Sequence, residues 1–337
     1  MIRILVCFAL FFTQSIEAKK VLVAGGAGFL GSHLCERLLE RGDEVVCVDN
    51  LLTGSLRNLK PYKNHPHFSF IDCDICDFHD PYNHYDEIYN LACPASPKKY
   101  QMDPLHTLRT NFNGTLNLLE IAKRNRAKFF QASTSEVYGN PTQHPQAESY
   151  FGHVNPIGIR ACYDEGKRVA ETLCFEYYRQ HGMVIKVVRI FNTYGPRMSP
   201  EDGRVVSNFI IQALADKPIT IYGDGSQTRS FCFVDDLIDG FLAFMETGDN
   251  VTGPINLGNP TEISVGELAR KIISMTQSQS VVHYLPLPQD DPARRKPDLT
   301  VAQMSLGWRP YTSLTGGLEA TIEHFRKLLK LQKKDHS

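Results

Sequence analysis

Three groups of residues have the types and spacings to do chemistry. Tyr163 and Lys167 stand four apart in a run of helical period, Ala161 to Tyr178, so both side chains emerge on one face, one turn apart. Ala132-Ser133-Thr134-Ser135-Glu136 follows the apolar run Lys128 to Gln131. Hydroxyls and one acid therefore stand at a strand's carboxyl end, where open α/β sheets carry out reactions. Gly25, Gly28 and Gly31 are spaced G-x-x-G-x-x-G directly after the apolar run Val21 to Ala24, and they open an amphipathic stretch that reaches Arg41. Asp49 ends the next apolar run, Glu44 to Val48. Such glycines let backbone approach a pyrophosphate at a helix amino terminus, and the acid accepts hydrogen bonds from ribose hydroxyls. A carboxylate there repels a 2′-phosphate, which favours NAD over NADP.

A Tyr/Lys pair on its own is also an ordinary solvated helix face; its meaning comes from company. A tyrosine with a solution pKa of about 10 is a poor base at neutral pH, but a lysine ammonium and a positively charged nicotinamide favour the phenolate. Thr134 can hydrogen-bond the same substrate hydroxyl. The set removes a proton from an alcohol while its carbon gives hydride to NAD.

The elements that must position these residues are strands and helices in alternation. Further strands are expected at Phe68 to Ile71, Glu87 to Leu91, Lys128 to Gln131 and Val184 to Ile190. This pattern predicts an α/β fold, a Rossmann-type doubly wound parallel sheet, with a smaller, discontinuous α/β substrate-binding lobe. Asp72 and Asp74 follow the third strand, where Asp74 can meet an adenine amino group. Thr107 to Lys123 reads as one sheet-packing helix. From Gly195 glycines, prolines and short strands predominate, yet Val234 to Met245 is helical and apolar and returns to the first domain. The division expected is an amino-terminal segment 1–18, an NAD-binding domain 19–194 joined by 233–250, and a lobe of 195–232 and 251–331, with helices at Ser264 to Thr276 and Leu318 to Leu331.

A chain of 337 residues, 42% hydrophobic and 22% charged, has an ordinary globular composition and can bury a large core. Its net charge of -1 argues against a nucleic-acid partner. The nine cysteines are odd in number and irregular in spacing, which argues against a disulfide framework. Cys73 and Cys76 form a C-x-x-C with no second pair at zinc spacing, so it is read as structural, and no metal site is expected. Arg3 followed by the apolar run Ile4 to Phe12 resembles a signal peptide but is too short to span a bilayer. The cytoplasmic reading is preferred; a secretory or membrane-anchored form stays open.

The stretches Gly25 to His33, Asp49-Asn50, Ser133 to Gly139, Tyr163 to Lys167, Arg189 to Arg197 and Gly225 to Phe231 together resemble an extended short-chain dehydrogenase/reductase over residues 19 to 330. Within that superfamily, Gly152 to Gly158 and Asp291 to Asp298 resemble the UDP-glucuronate decarboxylases, also called UDP-xylose synthases. The resemblance implies an NAD site of Gly25, Gly28, Phe29, Leu30, Asp49, Asn50, Thr53, Gly54, Asp74, Leu91, Thr110, Tyr163, Lys167 and Thr193. It implies a UDP-sugar site of Asn192, Asn208, Tyr222, Gln227, Arg229 and Arg295, and a catalytic set of Thr134, Ser135, Glu136, Tyr163, Lys167 and Arg295. Arg197, Arg204 and Arg294 add positive charge suited to a diphosphate. Ala24 and Cys93 depart from the pattern, each standing where a hydroxyl residue is usual.

The implied reaction oxidises the sugar's C4 hydroxyl, so that the carboxylate on C5 becomes β to a ketone and leaves as carbon dioxide. Reduction of the 4-keto sugar then gives UDP-xylose and restores NAD. Ser135 and Glu136 are placed near C5 by the resemblance, with Arg295 opposite; Glu136 either positions the carboxylate or assists proton movement. The alternatives are a nucleotide-sugar 4,6-dehydratase, which would show Asp-Glu at 135 and 136, a 4-epimerase, which would lack the acid at 136, and a non-catalytic dinucleotide-binding module, which would break the Thr134/Tyr163/Lys167 set. A homodimer paired through the Tyr/Lys helix and the helix before it is expected.

Overall fold

A computed structural model describes residues 18–287 and 294–334; the amino-terminal run read as a possible leader lies outside the described residues up to position 17. Six strands, β1 (Lys20–Ala24), β2 (Glu44–Asp49), β3 (Phe68–Asp72), β4 (Glu87–Asn90), β5 (Lys128–Thr134) and β6 (Ile185–Ile190), share one sheet with Ile255–Leu257. The spatial order is Ile255–Leu257, β6, β5, β4, β1, β2, β3, and every pairing is parallel. The winding reverses between β1 and β4, which opens a crevice at the carboxyl ends of those strands. Both sheet faces are covered, so the strands read as continuous apolar runs. Val21, Val23, Val45, Cys47 and Phe130 pack on one side, and Leu22, Ala24, Val46, Val48 and Phe129 on the other.

The core of the first side runs without a break into the lobe, because Phe209, Ile210, Leu268, Leu318 and Phe325 belong to the same apolar cluster. The helix Val234–Met245 joins the two parts, packing on β6 and on the helix α1 (Phe29–Arg41) that follows the glycine turn. The lobe is built from the helix Val205–Leu214, the pair Ile219–Tyr222 with Val282–Leu285, and a three-stranded sheet of Glu262–Ser264, Thr228–Ser230 and Arg294–Arg295.

Four stretches differ from the sequence expectation. Ile255–Leu257 pairs with β6 and so adds to the large sheet, although it falls in the span given to the lobe from 251. β5 extends through Thr134, because Ala132, Ser133 and Thr134 continue the pairing with Val188, Arg189 and Ile190. The single helix expected over Thr107 to Lys123 is Pro104–Arg109, a π-helical turn Thr110–Gly114, and Thr115–Asn125. Thr110 Oγ1 donates to the His106 carbonyl at 2.9 Å and Asn111 Nδ2 to the Thr107 carbonyl at 2.9 Å, side-chain bonds of the kind that bend a helix. The helix Val205–Leu214 went unread because its apolar residues sit amid glycines and prolines. Among the described residues no helix is long and apolar enough to cross a membrane, and no disulfide is formed.

Candidate active site

A cleft of about 1520 Å³ lies at the carboxyl ends of the strands and is closed on its far side by the lobe. Every residue assigned above to the catalytic, NAD or UDP-sugar set borders it. At one end the chain passes from β1 through the glycine turn into α1. Gly25 has φ +78°, and a Cβ there would meet the Leu91 and Ala92 backbone at 2.8 Å, while one on Gly31 would come within 2.1 Å of the Gly25 carbonyl oxygen. Only glycine lets these three segments close up. The amino terminus of α1 starts at Gly28, has no side-chain cap and carries no acid in its first turn, so its positive dipole end is left to the cleft.

Asp49 sits beside that terminus. Its Oδ2 accepts from the Ala27 N–H at 3.0 Å and its Oδ1 from the Leu51 N–H at 2.8 Å, so it organises the turn as well as facing the cleft. Burial pushes its pKa up against those two donors. The Gly54 backbone presses on the same carboxylate, where a Cβ would stand 2.7 Å away. Next to it Asn50 Nδ2 donates to Asp74 Oδ2 at 2.7 Å, and Asp74 also holds His106 at 3.0 Å and the Cys76 N–H at 2.8 Å. Thr53, Leu91, Thr110 and Thr193 complete this half. An uncapped helix terminus beside a buried carboxylate fits the diphosphate and ribose of a dinucleotide, which makes NAD the cofactor these residues suit.

The middle of the cleft is the end of β5. Thr134 Oγ1 accepts from the Glu136 N–H at 3.2 Å and so starts a 3-10 turn, Ser135–Tyr138, that presents the acid sideways. The Thr134 side chain also acts on the Tyr163 phenol, lowering its pKa against the effect of burial. Tyr163 is buried from the helix Ala161–His181, and the Tyr100 ring stacks on it with centroids 4.8 Å apart and planes 4° from parallel. Lys167 Nζ lies 6.0 Å from the Tyr163 ring centre and donates to the Ala132 carbonyl at 2.9 Å. Burial lowers the Lys167 pKa and raises that of Tyr163, so the lysine by itself does not make the phenolate.

Glu136 is held by two guanidinium groups, Arg160 Nη2 at 2.5 Å and Arg295 Nη2 at 3.2 Å. Burial alone would raise its pKa, but Arg295, Arg160 and Arg229 outweigh it and keep the carboxylate ionised. Arg295 also donates from Nη1 to the Ser135 carbonyl at 2.8 Å. It reaches this place, itself only 2% exposed, because Arg294–Arg295 pairs in parallel with Thr228–Ser230, setting Arg295 opposite Arg229. Toward the lobe lie Asn192, Asn208, Tyr222, Gln227 and Arg229, with Gln227 Nε2 bonded to the Tyr222 carbonyl at 2.6 Å. Of the extra arginines, Arg204 and Arg197 both border the cleft, Arg204 beside Asp202 and Arg197 bound to Glu36 and the Ser32 carbonyl of α1, while Arg294 is exposed.

Arg160 and Tyr100 were not expected in this wall. Arg160 had a usable signal, since it precedes Tyr163 by three residues and so shares its face. Tyr100 had none, because the helix Pro97–Tyr100 that carries it is one turn long.

These features define a dinucleotide-dependent enzyme acting on a hydroxyl of a polar substrate, and the chain belongs to the NAD dependent epimerase/dehydratase family, whose model matches residues 21–258. Its relatives narrow the class. The chain is 51% identical over 321 residues to UDP-glucuronic acid decarboxylase 1 of Xenopus tropicalis, covering 95% of this chain and 75% of that one. It is 51% identical over 322 residues to UDP-glucuronic acid decarboxylase 4 of Arabidopsis thaliana, covering 95% and 72%. Among solved structures it is similar to UDP-glucuronic acid 4-epimerase from Bacillus cereus in complex with UDP-glucuronic acid and NAD, with TM-score 0.82, 32% identity, and 92% and 99% of the two chains covered.

Proposed function

We infer that the protein is an NAD-dependent UDP-glucuronate decarboxylase, a carboxy-lyase that forms UDP-xylose and carbon dioxide through a 4-keto sugar. The observation that carries this reading is the ion-paired Glu136 beside Ser135 and Arg295, set next to Thr134 and Tyr163 in one cleft. An ordinary alcohol oxidation needs Tyr163, Lys167 and Thr134; the charged pair beyond them is what a substrate carboxylate requires.

In this mechanism Tyr163 takes the proton of the sugar's C4 hydroxyl, with Lys167 beneath it and Thr134 sharing the oxygen. NAD held in this cleft would supply the hydride acceptor for the oxidation at C4 and the hydride for the closing reduction. Once C4 is a ketone, the bond from C5 to the carboxylate can break, leaving an enolate on O4. Hydrogen bonds from Tyr163 and Thr134 stabilise that charge as it develops. Arg295 draws in the carboxylate, and Glu136, kept ionised, sets its direction by repulsion. A proton then enters at C5, and Tyr163 returns its own proton to O4.

Asn192, Asn208, Tyr222, Gln227, Arg229 and Arg295 hold the UDP-sugar in this reading, and Gly25 through Leu30, Asp49 through Gly54, Asp74, Leu91, Thr110 and Thr193 hold NAD. The chain pairs as a homodimer, supported by Leu105, Leu108 and Phe112, which are exposed on the helical stretch beside Ala161–His181; sedimentation gives the mass directly. The fold likeness to a 4-epimerase of the same sugar nucleotide defines the second reading. Incubation with UDP-glucuronate and NAD separates them: UDP-pentose with carbon dioxide supports decarboxylation, and a product of unchanged mass supports epimerisation.

A further inference from the structure

The ion pair of Glu136 and Arg295 joins two segments from distant parts of the chain, and neither is long enough to fix a side chain unaided. Glu136 sits in a 3-10 turn of four residues and Arg295 in a strand of two. Two fully buried amide side chains, Gln146 and Asn256, tie both segments to one frame, and neither borders the cleft.

Gln146 holds the strand that carries Arg295. Its Oε1 accepts from the Lys296 N–H at 2.9 Å, its main-chain N–H donates to the Lys296 carbonyl at 2.9 Å, and its carbonyl accepts from the Asp298 N–H at 2.8 Å. Its Nε2 donates to the Gln143 carbonyl at 2.8 Å, so both ends of the carboxamide are used. Asn256 connects this hold to Glu136. Its Nδ2 donates to the Gln146 carbonyl at 3.0 Å and to the Asp298 carbonyl at 3.2 Å, while its Oδ1 accepts from the Tyr138 hydroxyl at 2.8 Å. Tyr138 is the last residue of the turn that presents Glu136. An apolar side chain at 146 would leave the Lys296 N–H without its acceptor, which is costly where water is excluded. A carboxamide supplies that acceptor without burying a charge.

We propose that Gln146 is the positioning residue for Arg295: it clamps the main chain just past Arg295 and, through Asn256 and Tyr138, sets that guanidinium in register with the Glu136 carboxylate and the Ser135 carbonyl. Gln146 touches no reacting atom. Its effect is confined to the step that needs Arg295, the loss of the carboxylate, because Thr134 is held by β5, and Tyr163 and Lys167 by the helix Ala161–His181. The observed contacts of Arg295, 3.2 Å to Glu136 and 2.8 Å to the Ser135 carbonyl, are the geometry that this clamp maintains.

The inference rests on the decarboxylase reading, and the test separates the two. Wild-type enzyme that releases no carbon dioxide from UDP-glucuronate refutes the reading itself. Given an active wild type, Gln146→Met, which is similar in length and loses both side-chain bonds, is compared with it in a single turnover of the NAD-loaded enzyme at saturating sugar. C4 oxidation, seen as NADH formed, should keep the wild-type rate, while carbon dioxide release should fall about 100-fold, as for a displaced catalytic group. NADH should therefore accumulate. Equal loss of both steps, or wild-type rates in both, overturns the proposal. A merely structural role is told apart in an Arg295→Lys background, where Gln146→Met should cost little more, since the residue it positions is already altered. A full further loss of about 100-fold there overturns the proposal. Should Gln146→Met fold poorly, Gln146→Asn takes its place, because it keeps the amide and shortens its reach by one methylene. The same accumulation of NADH is expected of it, and a wild-type balance of the two steps overturns the proposal.

Discussion

At the scale of single residues, the proposed mechanism divides the site into a pair that moves a proton and a pair that handles a carboxylate. Tyr163 stacks on Tyr100 and shares the cleft with Thr134, and in the proposed mechanism it is the residue that takes the proton of the sugar oxygen. Tyr163→Phe should therefore abolish turnover while NAD still binds, as measured by quenching of protein fluorescence; activity near that of the wild type would remove Tyr163 from the base role. Glu136 is ion-paired at 2.5 and 3.2 Å. Glu136→Gln should slow carbon dioxide release more than C4 oxidation, so NADH accumulates; equal loss of both steps would contradict a role confined to C5. Tyr163, Lys167 and Asp49 were readable in the sequence because their spacing is local. The meeting of Glu136 with Arg295, 159 positions apart, is not local, and only the family resemblance pointed to it.

At the scale of elements, strand pairing does the positioning. β5 runs on to Thr134 because β6 pairs with it up to Ile190, so the hydroxyl of Thr134 is fixed by the sheet and Glu136 is released into the turn that follows. The alternation of apolar runs exposed this architecture in the sequence, and the termini of β1, β2 and Val234–Met245 were legible to within a residue. The π-turn at Thr110–Gly114 was not, because helical periodicity is nearly blind to one extra residue. It depends on side chains bonding back to the helix and on the close approach of Gly114 to Ile75, where a Cβ would fall 2.4 Å away. At the lobe side of the cleft, which Val265 borders, capping serves stability rather than chemistry. Ser264 and Glu267 form a reciprocal capping box at the start of Val265–Thr276. Ser264→Ala should cost about 1 kcal/mol in denaturant unfolding and leave kcat unchanged; a fall in kcat would mean that the lobe helix takes part in substrate binding.

At the scale of the whole molecule, the sheet domain and the lobe share one apolar core and are pinned by a polar clamp at the mouth of the cleft. Arg197 binds Glu36 and the Ser32 carbonyl of α1, its N–H reaches His324, and His33 Nε2 meets the Pro196 carbonyl at 3.0 Å. Burial, reinforced by the Arg197 charge, lowers the His33 pKa to about 4. The unfolded chain binds this proton near pH 6.5 and the folded chain does not, so the stability is present above about 6.5 and is lost as pH falls toward 4. The loss amounts to about 3 kcal/mol at most. His33→Asn should flatten that part of the stability profile, and an unchanged acid slope would assign it to other groups.

The central claim joins these scales, and one measurement tests it most directly. UDP-glucuronate labelled at its carboxyl carbon is incubated with the enzyme and with NAD far below the sugar concentration. The account predicts that label appears in carbon dioxide in equal amount to UDP-pentose, over many turnovers of each NAD, since the cofactor is restored in every cycle. Label retained in a UDP-sugar of unchanged mass, or turnover that stops once the NAD is spent, would contradict it.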